Sequence, residues 1–278
     1  MANGLLAVED LDVGFDVVRT PDGGSELLEL QFGSIEPAIV FNAIKHHFGA
    51  CDCVVSSGGF QMPRVFISDM DSTMIGQECI DELADYAGLK DHIAAITERA
   101  MQGELDFEDA LRERVALLEG LPESDITRCL EERIRPNPGA RVLVQTLKAR
   151  GCETVLVTGG FHHFADVVGE QIGFDRVVGN RLEVAGGKLT GKLEGPIVDS
   201  QAKRRVLEER VALAGEGAIS VAIGDGANDI PMIEAATYGV AYCAKPAARA
   251  AADGRIESGD LSALLSLLGV PKSDFIAD

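Results

Sequence analysis

Three short apolar runs, Val65-Phe66-Ile67, Val155-Leu156-Val157 and Val221-Ala222-Ile223, each break off into a loop of carboxylates, hydroxyls or glycines. The first loop is Asp69-Met70-Asp71-Ser72-Thr73, the second Thr158-Gly159-Gly160-Phe161, the third Gly224-Asp225-Gly226-Ala227-Asn228-Asp229. Runs this short and this apolar suit buried strands, and they predict strand ends at Ser68, Thr158 and Gly224. Helical patterns precede the second and third runs, over Arg141 to Arg150 and Asp199 to Ala214. Strand and helix in alternation dictate an α/β fold, a Rossmann-like parallel sheet with right-handed crossovers. Ligands bind such sheets outside the carboxyl ends of the strands, where all three loops fall. Residues 180–194 carry Ala185-Gly186-Gly187 between short alternating segments, which predicts a hairpin on the rim.

The stretch between Asp71 and Thr158 is far longer than one crossover needs. Helical patterns broken at Gly88, Gly103, Leu121-Pro122 and Pro136 fill it, with Ile80, Leu83, Ala84 and Ala87 on one apolar stripe. A helical cap over 76–135, inserted after the first core strand, follows, with the α/β core formed by 64–75 and 136–278. Residues 1–63 read as a separate small α+β module of unknown role. In it, strand-like Phe15 to Thr20 and Glu26 to Gln31 flank a turn at Pro21-Asp22-Gly23-Gly24, and a helix runs from Glu36 to Phe48. The apolar Cys53-Val54-Val55 and a linker at Ser56-Ser57-Gly58-Gly59 close the module.

A formal charge of −20 over 278 residues argues against nucleic-acid or anionic-membrane partners, and an anionic substrate would need a local positive site. No 18-residue apolar run and no basic leader followed by an apolar segment is present. The six cysteines lack the density of a disulfide scaffold and the spacing of a zinc site, so a reduced, cytoplasmic protein is the expectation.

Asp69 and Asp71 lie two residues apart at a strand end, where they could share a divalent cation, one attacking and the other moving a proton. Thr158 offers a hydroxyl and Gly159-Gly160 exposed amides for phosphate oxygens. Lys203 falls in the first turn of a helix capped by Asp199 or Ser200, where its charge opposes the helix dipole. Asp225 and Asp229 are hard oxygen ligands held by a glycine-rich turn, and Asn228 can donate to a substrate oxygen. Taken singly, these loops also read as polar turns and Lys203 as a surface lysine. In the cap, Phe107, Leu111, Arg114, Val115 and Leu118 share a helical stripe from which Arg112 points away. A guanidinium on such a stripe needs a carboxylate partner or a route to solvent.

Taken in order, Asp69-Met70-Asp71-Ser72-Thr73, Thr158-Gly159-Gly160, Lys203 and Gly224-Asp225-Gly226-Ala227-Asn228-Asp229 resemble the four motifs of the haloacid dehalogenase superfamily of phosphohydrolases. Glu78-Cys79-Ile80-Asp81-Glu82-Leu83-Ala84 and Thr158-Gly159-Gly160-Phe161 narrow the resemblance to the phosphoserine phosphatase family, over about residues 64–270. Thr158 stands where many members carry serine, which keeps the hydroxyl. The resemblance implies magnesium-dependent hydrolysis of O-phosphoserine, the last step of serine biosynthesis. Asp69 would be the nucleophile that carries an aspartyl-phosphate, and Asp71 the general acid and base. Magnesium would be held by Asp69, the Asp71 main-chain carbonyl and Asp225, with Asp229 in the outer shell. Lys203, Thr158, the Gly159 amide and Asn228 would hold phosphoryl oxygens, Glu78 the substrate ammonium and Arg114 its carboxylate. The same equipment would also serve another small phosphomonoester or a phosphotransferase. A receiver-like module that is merely phosphorylated is the reading from a different class, and the large cap argues against it. Oligomeric state is not legible.

Overall fold

The computed structural model describes residues 2–8, 11–19, 29–32, 36–48, 51–56, 58–101 and 106–277. Strands β1 (Ala2–Val8), β2 (Leu11–Arg19) and β3 (Glu29–Phe32) pair antiparallel in that order, and helix α1 (Pro37–Phe48) follows. Phe15 stands opposite Phe32 and Arg19 opposite Glu29, so the expected strands do pair; β1 is an addition the sequence did not announce. The turn at Pro21-Asp22-Gly23-Gly24, Ser57 of the expected linker and the break at Gly103 lie outside the described residues.

After a two-residue strand β4 (Cys53–Val54) comes β5 (Val65–Ser68), then four cap helices: α2 (Cys79–Tyr86), α3 (Lys90–Met101), α4 (Phe107–Ala116) and α5 (Glu123–Arg133). The chain continues through α6 (Ala140–Ala149), β6 (Glu153–Phe161), α7 (His162–Ile172), β7 (Arg176–Ala185), β8 (Lys188–Glu194) and α8 (Ser200–Ala214). It ends with β9 (Ser220–Gly224), α9 (Ile230–Ala235), β10 (Tyr238–Tyr242), α10 (Pro246–Ala251), β11 (Gly254–Ile256) and α11 (Ala263–Leu267).

The core is an eight-stranded sheet ordered β4-β11-β10-β9-β5-β6-β7-β8. The strands from β11 to β7 run parallel, and antiparallel β4 and β8 form the edges. Side chains alternate across it: Phe66, Leu156, Val221 and Ile223 join one core layer, while Val65, Ile67, Val155, Val157 and Ala222 join another with Leu207 of α8 and Met232 of α9. From β5 the chain builds outward through β6 and β7, then returns to the other side of β5 for β9, β10 and β11. The sheet therefore changes direction between β5 and β9, and a crevice opens at their carboxyl ends.

The cap leaves and rejoins the core through a narrow neck. Ile75 bridges Pro136, Gly76 N donates to the Arg135 carbonyl (3.3 Å), and Asn137 donates from its backbone to Met74 O (2.9 Å) and from Nδ2 to Thr73 O (2.8 Å). On the far side the rim hairpin clasps the cap. Gly120 N donates to Leu189 O, Leu189 N to Leu121 O and Glu123 N to Gly187 O, at 2.8, 2.9 and 2.9 Å.

Two local expectations are corrected. β6 does not end at Thr158 but continues to Phe161, because the Gly-Gly stretch is carried as an irregularity in the pairing with β7, which resumes with Phe161 opposite Asn180. Cys53-Val54, assigned from sequence to the first module, pairs instead with β11. The Asp52 carboxylate accepts from Glu257 N (2.6 Å), Ser258 N (2.9 Å) and Ser258 Oγ (2.6 Å), and the Phe60 ring packs on Tyr238. An unpaired parallel edge strand exposes its backbone donors and acceptors, and this segment covers them. Asp52, Cys53, Val54 and Phe60 thus pack on the core ahead of the boundary expected at 63.

Candidate active site

Asp69 follows β5 and Asp225 follows β9, neighbouring strands, so both carboxylates reach the crevice floor. α8 brings the counter-charge. Its N-cap is Asp199, whose side chain accepts from Ala202 N (2.7 Å), and this sets Lys203 in the first turn. The lysine is 1% exposed, and its Nζ donates to Asp69 Oδ1 (2.6 Å) and Asp229 Oδ1 (2.7 Å). Burial alone would lower the lysine's proton affinity, but Asp229 and Asp69 outweigh it and hold the ammonium above the usual lysine range. Asp229 is fixed in turn: its other carboxylate oxygen accepts from Asp225 N (3.2 Å) and Gly226 N (3.1 Å). Only glycine fits at 224, because a Cβ there would collide with the Asp229 carboxylate.

Oxygens of Asp69, Asp225 and Asp229 lie within 4.8 Å of one another, all three residues buried. Three carboxylates face the buried Lys203 ammonium, and the only other cation at hand among the described residues, Lys245 at 3.9 Å from Asp225, is largely exposed, so negative charge is in excess in a buried place. Burial, then Asp229, raises Asp69 well above the ordinary carboxylate range despite Lys203, and burial and Asp229 push Asp225 up to about 6. A hard divalent cation among these oxygens would remove that strain, so the donor set fits a metal of the magnesium or calcium kind.

Asp71 sits apart from this cluster, on a tight turn. The Met70 carbonyl accepts from Thr73 N, Met74 N and Ile75 N (3.2, 2.8 and 3.1 Å), and Ser72 takes a left-handed φ of 55°. The Asp71 carboxylate accepts from the Cys79 amide at the start of α2 (3.4 Å). Burial, then the neighbouring Glu78 charge, raises Asp71 to about 7, the range in which one carboxyl can both give and take a proton. Glu78 is itself held by Ser72 Oγ, which donates to its Oε1 (2.6 Å).

Thr158 is buried, and its Oγ1 accepts from Gly160 N (2.8 Å). A Cβ on Gly160 would press on Asp71 Oδ2 at 3.0 Å, so the second loop lies directly against the Asp71 carboxyl. The Gly159 carbonyl accepts from Asn180 Nδ2 (2.7 Å), while Asn180 Oδ1 accepts from Val198 N (2.8 Å). Asn180 therefore fixes the loop's orientation; the sequence held no signal for it beyond a polar residue near the start of a hairpin. Asn228 is half-buried, at the turn after Asp225.

Of the expected cap stripe, Leu111, Val115 and Leu118 are buried, while Phe107 is 39% exposed and reaches over Gly159, its Cζ 3.2 Å from where a Cβ would stand. Arg114 is half-buried, its Nε donating to the Ala110 carbonyl (3.2 Å). Burial lowers its proton affinity, against the charges of Asp81, Glu78 and Asp71. Arg112 is exposed and pairs with Glu108 (2.6 Å). Asp69, Lys203, Asp225 and Asp229 thus form one buried group, with Asp71 beside it against the Gly160 turn and the start of α2.

Residues 66–234 match the family described as haloacid dehalogenase-like hydrolase, and 213–265 match a second family of that description. The chain belongs to the haloacid dehalogenase-like hydrolases. It is 47% identical over 210 residues to a phosphoserine phosphatase of Albidiferax ferrireducens, covering 73% of this chain and 89% of that protein. Identity to a phosphoserine phosphatase of Archaeoglobus fulgidus is 45% over 212 residues, 75% of this chain but 60% of that relative's length. Among solved structures, a phospho-aspartyl intermediate analogue of phosphoserine phosphatase aligns with a TM-score of 0.67 and 40% identity, over 74% of this hydrolase and 99% of that chain. Hydrolases of this family generally use a divalent metal, which agrees with the aspartate cluster.

Proposed function

We propose that this hydrolase cleaves O-phosphoserine to serine and phosphate, using magnesium and an aspartyl-phosphate on Asp69. The observation that carries the reading is the pair of aspartates with divided environments. Asp69 is anchored through one oxygen by a buried lysine, while Asp71, two residues on, has a proton affinity near neutrality. One is equipped to attack and the other to shuttle a proton.

In the first half-reaction the free Asp69 oxygen attacks phosphorus, the bond from phosphorus to the serine oxygen breaks, and Asp71 gives that oxygen its proton. In the second, Asp71 takes a proton from water, the water oxygen attacks phosphorus, and the Asp69–phosphorus bond breaks. Lys203, Thr158 Oγ1, the Gly159 amide and Asn228 hold the equatorial oxygens as their charge is redistributed. Asp69, the Asp71 carbonyl and Asp225 would hold the magnesium ion, with Asp229 behind them. When bound, the ion neutralises the excess negative charge, keeps Asp69 ionised and draws charge from the phosphoryl group. At the other end of the substrate, Glu78 meets the ammonium and Arg114 the carboxylate. The phosphoserine phosphatase relatives support the substrate, and the six free cysteines support residence in the cytoplasm.

Phosphate release from phosphoserine, phosphothreonine and simple sugar phosphates, with magnesium or with chelator, tests the proposal. The expected result is magnesium-dependent turnover with phosphoserine preferred; a preference for a sugar phosphate would reject the substrate, and full activity in chelator would reject the metal.

A further inference from the structure

Val157 pairs with Val178 and Phe161 with Asn180, so β6 carries Thr158, Gly159 and Gly160 where β7 carries only Gly179. Residues bulged out of a ladder lose their strand partners, and their buried carbonyls and amides must find others. Asn180 supplies one from a side chain that is 2% exposed: its Nδ2 donates to Gly159 O (2.7 Å), and its Oδ1 accepts from Val198 N (2.8 Å). The two partners settle which way the amide points, because a backbone N–H can only donate and a carbonyl can only accept. Gly159 O lies in the same rigid peptide plane as Gly160 N, and that amide donates to Thr158 Oγ1 (2.8 Å). The 159–160 peptide is therefore held at its carbonyl by Asn180 and at its amide by Thr158. The Thr158 hydroxyl accepts one hydrogen bond here and keeps its own proton, for which no acceptor stands among the described residues. A Cβ on Gly160 would stand 3.1 Å from Thr158 Oγ1 and 3.0 Å from Asp71 Oδ2, so hydroxyl and carboxyl border the same spot.

We infer that Asn180 is a positioning residue for Thr158: by fixing the 159–160 peptide it commits the Gly160 amide to Thr158 Oγ1 and leaves the hydroxyl proton for a phosphoryl oxygen. A hydroxyl without that amide is free to rotate, and a lone pair turned toward a phosphoryl oxygen would repel it. A donor that is already oriented needs no reorganisation as charge shifts in the transition state. Asn180 does not touch the substrate; it acts through Thr158. The inference rests on the proposed role of Thr158 in holding a phosphoryl oxygen.

The test measures kcat and KM on phosphoserine, with magnesium at pH 8, for Asn180→Asp, Thr158→Val and the double variant in the full chain. The aspartate keeps an acceptor for Val198 N but turns an acceptor toward Gly159 O as well. Asn180→Ser, neutral and too short to span both partners, takes its place if the aspartate variant does not fold by circular dichroism. Thr158→Val should lower kcat roughly 10²-fold, the scale for a lost transition-state donor. Residues that orient a contacting group typically matter about tenfold or more, so Asn180→Asp should lower kcat roughly tenfold with KM changed less than about twofold. The double variant should fall within about threefold of Thr158→Val alone, because the hydroxyl that Asn180 orients is already gone. Losses that multiply in the double variant would mean that Asn180 acts by supporting the fold or through another group. Wild-type kcat in Asn180→Asp would mean that the hydroxyl orients itself without help. Either result overturns the inference while the reading of Thr158 stands. Wild-type kcat in Thr158→Val would remove Thr158 from the phosphoryl site, and the inference would fall with it.

Discussion

Lys203 shows how much one buried side chain decides. It binds two carboxylates from two different loops, so its loss leaves like charges facing each other without water. Removing one partner of a buried ion pair typically costs about 3–5 kcal/mol, and Lys203→Met should lower the unfolding free energy by that order in denaturant titration. Turnover should fall by roughly 10²-fold or more, the scale for a lost transition-state donor. Wild-type stability in Lys203→Met would mean that the pairing is not what holds the floor together. The raised carboxyls make a second prediction. With Asp71 near 7, Asp225 near 6 and Asp69 well above the ordinary range, the metal-free native state binds more protons than the unfolded chain, whose carboxyls titrate near ~4. Unfolding free energy then decreases as pH rises through that window. In chelator, Tm should be higher at pH 5.5 than at pH 8, magnesium should raise Tm more at pH 8, and Asp225→Asn should flatten the slope. A chelated protein that grows more stable toward pH 8, with the same slope in Asp225→Asn, would contradict the charge excess. That Asp69, Lys203, Asp225 and Asp229 gather at one place was legible in the sequence, because they stand in loops of like chemistry at strand or helix ends. Asn180 was not, since its meaning lies in a contact with Gly159 that only the folded sheet brings about.

At the scale of elements, apolar runs and periodicity found β5, β6 and β9, the helical stretch between β5 and β6, and the rim hairpin, but not the parallel strands β10 and β11. They failed where pairing partners decide the outcome. β6 runs past Thr158 because β7 offers a partner at Phe161, and the two residues of β4 form a strand only because the β11 edge is open. The clasp between hairpin and cap was also invisible, as it is made of backbone groups. Gly191 in β8 lies against it: its φ is 75°, and a Cβ would meet Ala116 O at 3.1 Å and Glu119 Cβ at 3.0 Å. Gly191→Ala should therefore both strain the backbone and push α4 from the hairpin, costing about 1–3 kcal/mol. Hydrogen exchange should quicken at the Gly120, Glu123 and Leu189 amides while the β5 and β9 amides stay protected. Unchanged exchange at the clasp would show that the hairpin does not secure the cap.

For the whole molecule, the sheet's change of direction between β5 and β9 explains why distant loops converge; the sequence placed those loops at strand ends but did not give the order of strands in the sheet. What sequence order did not convey was where the first module ends. A chain starting at Cys51 keeps Asp52 and β4 on the β11 edge, whereas one starting at Gln61 uncovers that edge. Both should retain phosphatase activity, but the shorter should melt lower and scatter more light on concentration. Equal melting and equal solubility would mean that residues 51–60 are incidental to the core.

The central claim is that phosphorus is transferred to Asp69 and then to water. Rapid quench in acid after mixing the enzyme with radiolabelled phosphoserine and magnesium, followed by peptide mapping, tests it most directly. An acid-stable, hydroxylamine-sensitive phosphoryl group is expected on the peptide containing Asp69, appearing and decaying at rates consistent with turnover, and absent from Asp69→Asn. A phosphoryl group on any other residue, or turnover with no adduct in Asp71→Asn (where its decay should be slowed), would contradict it.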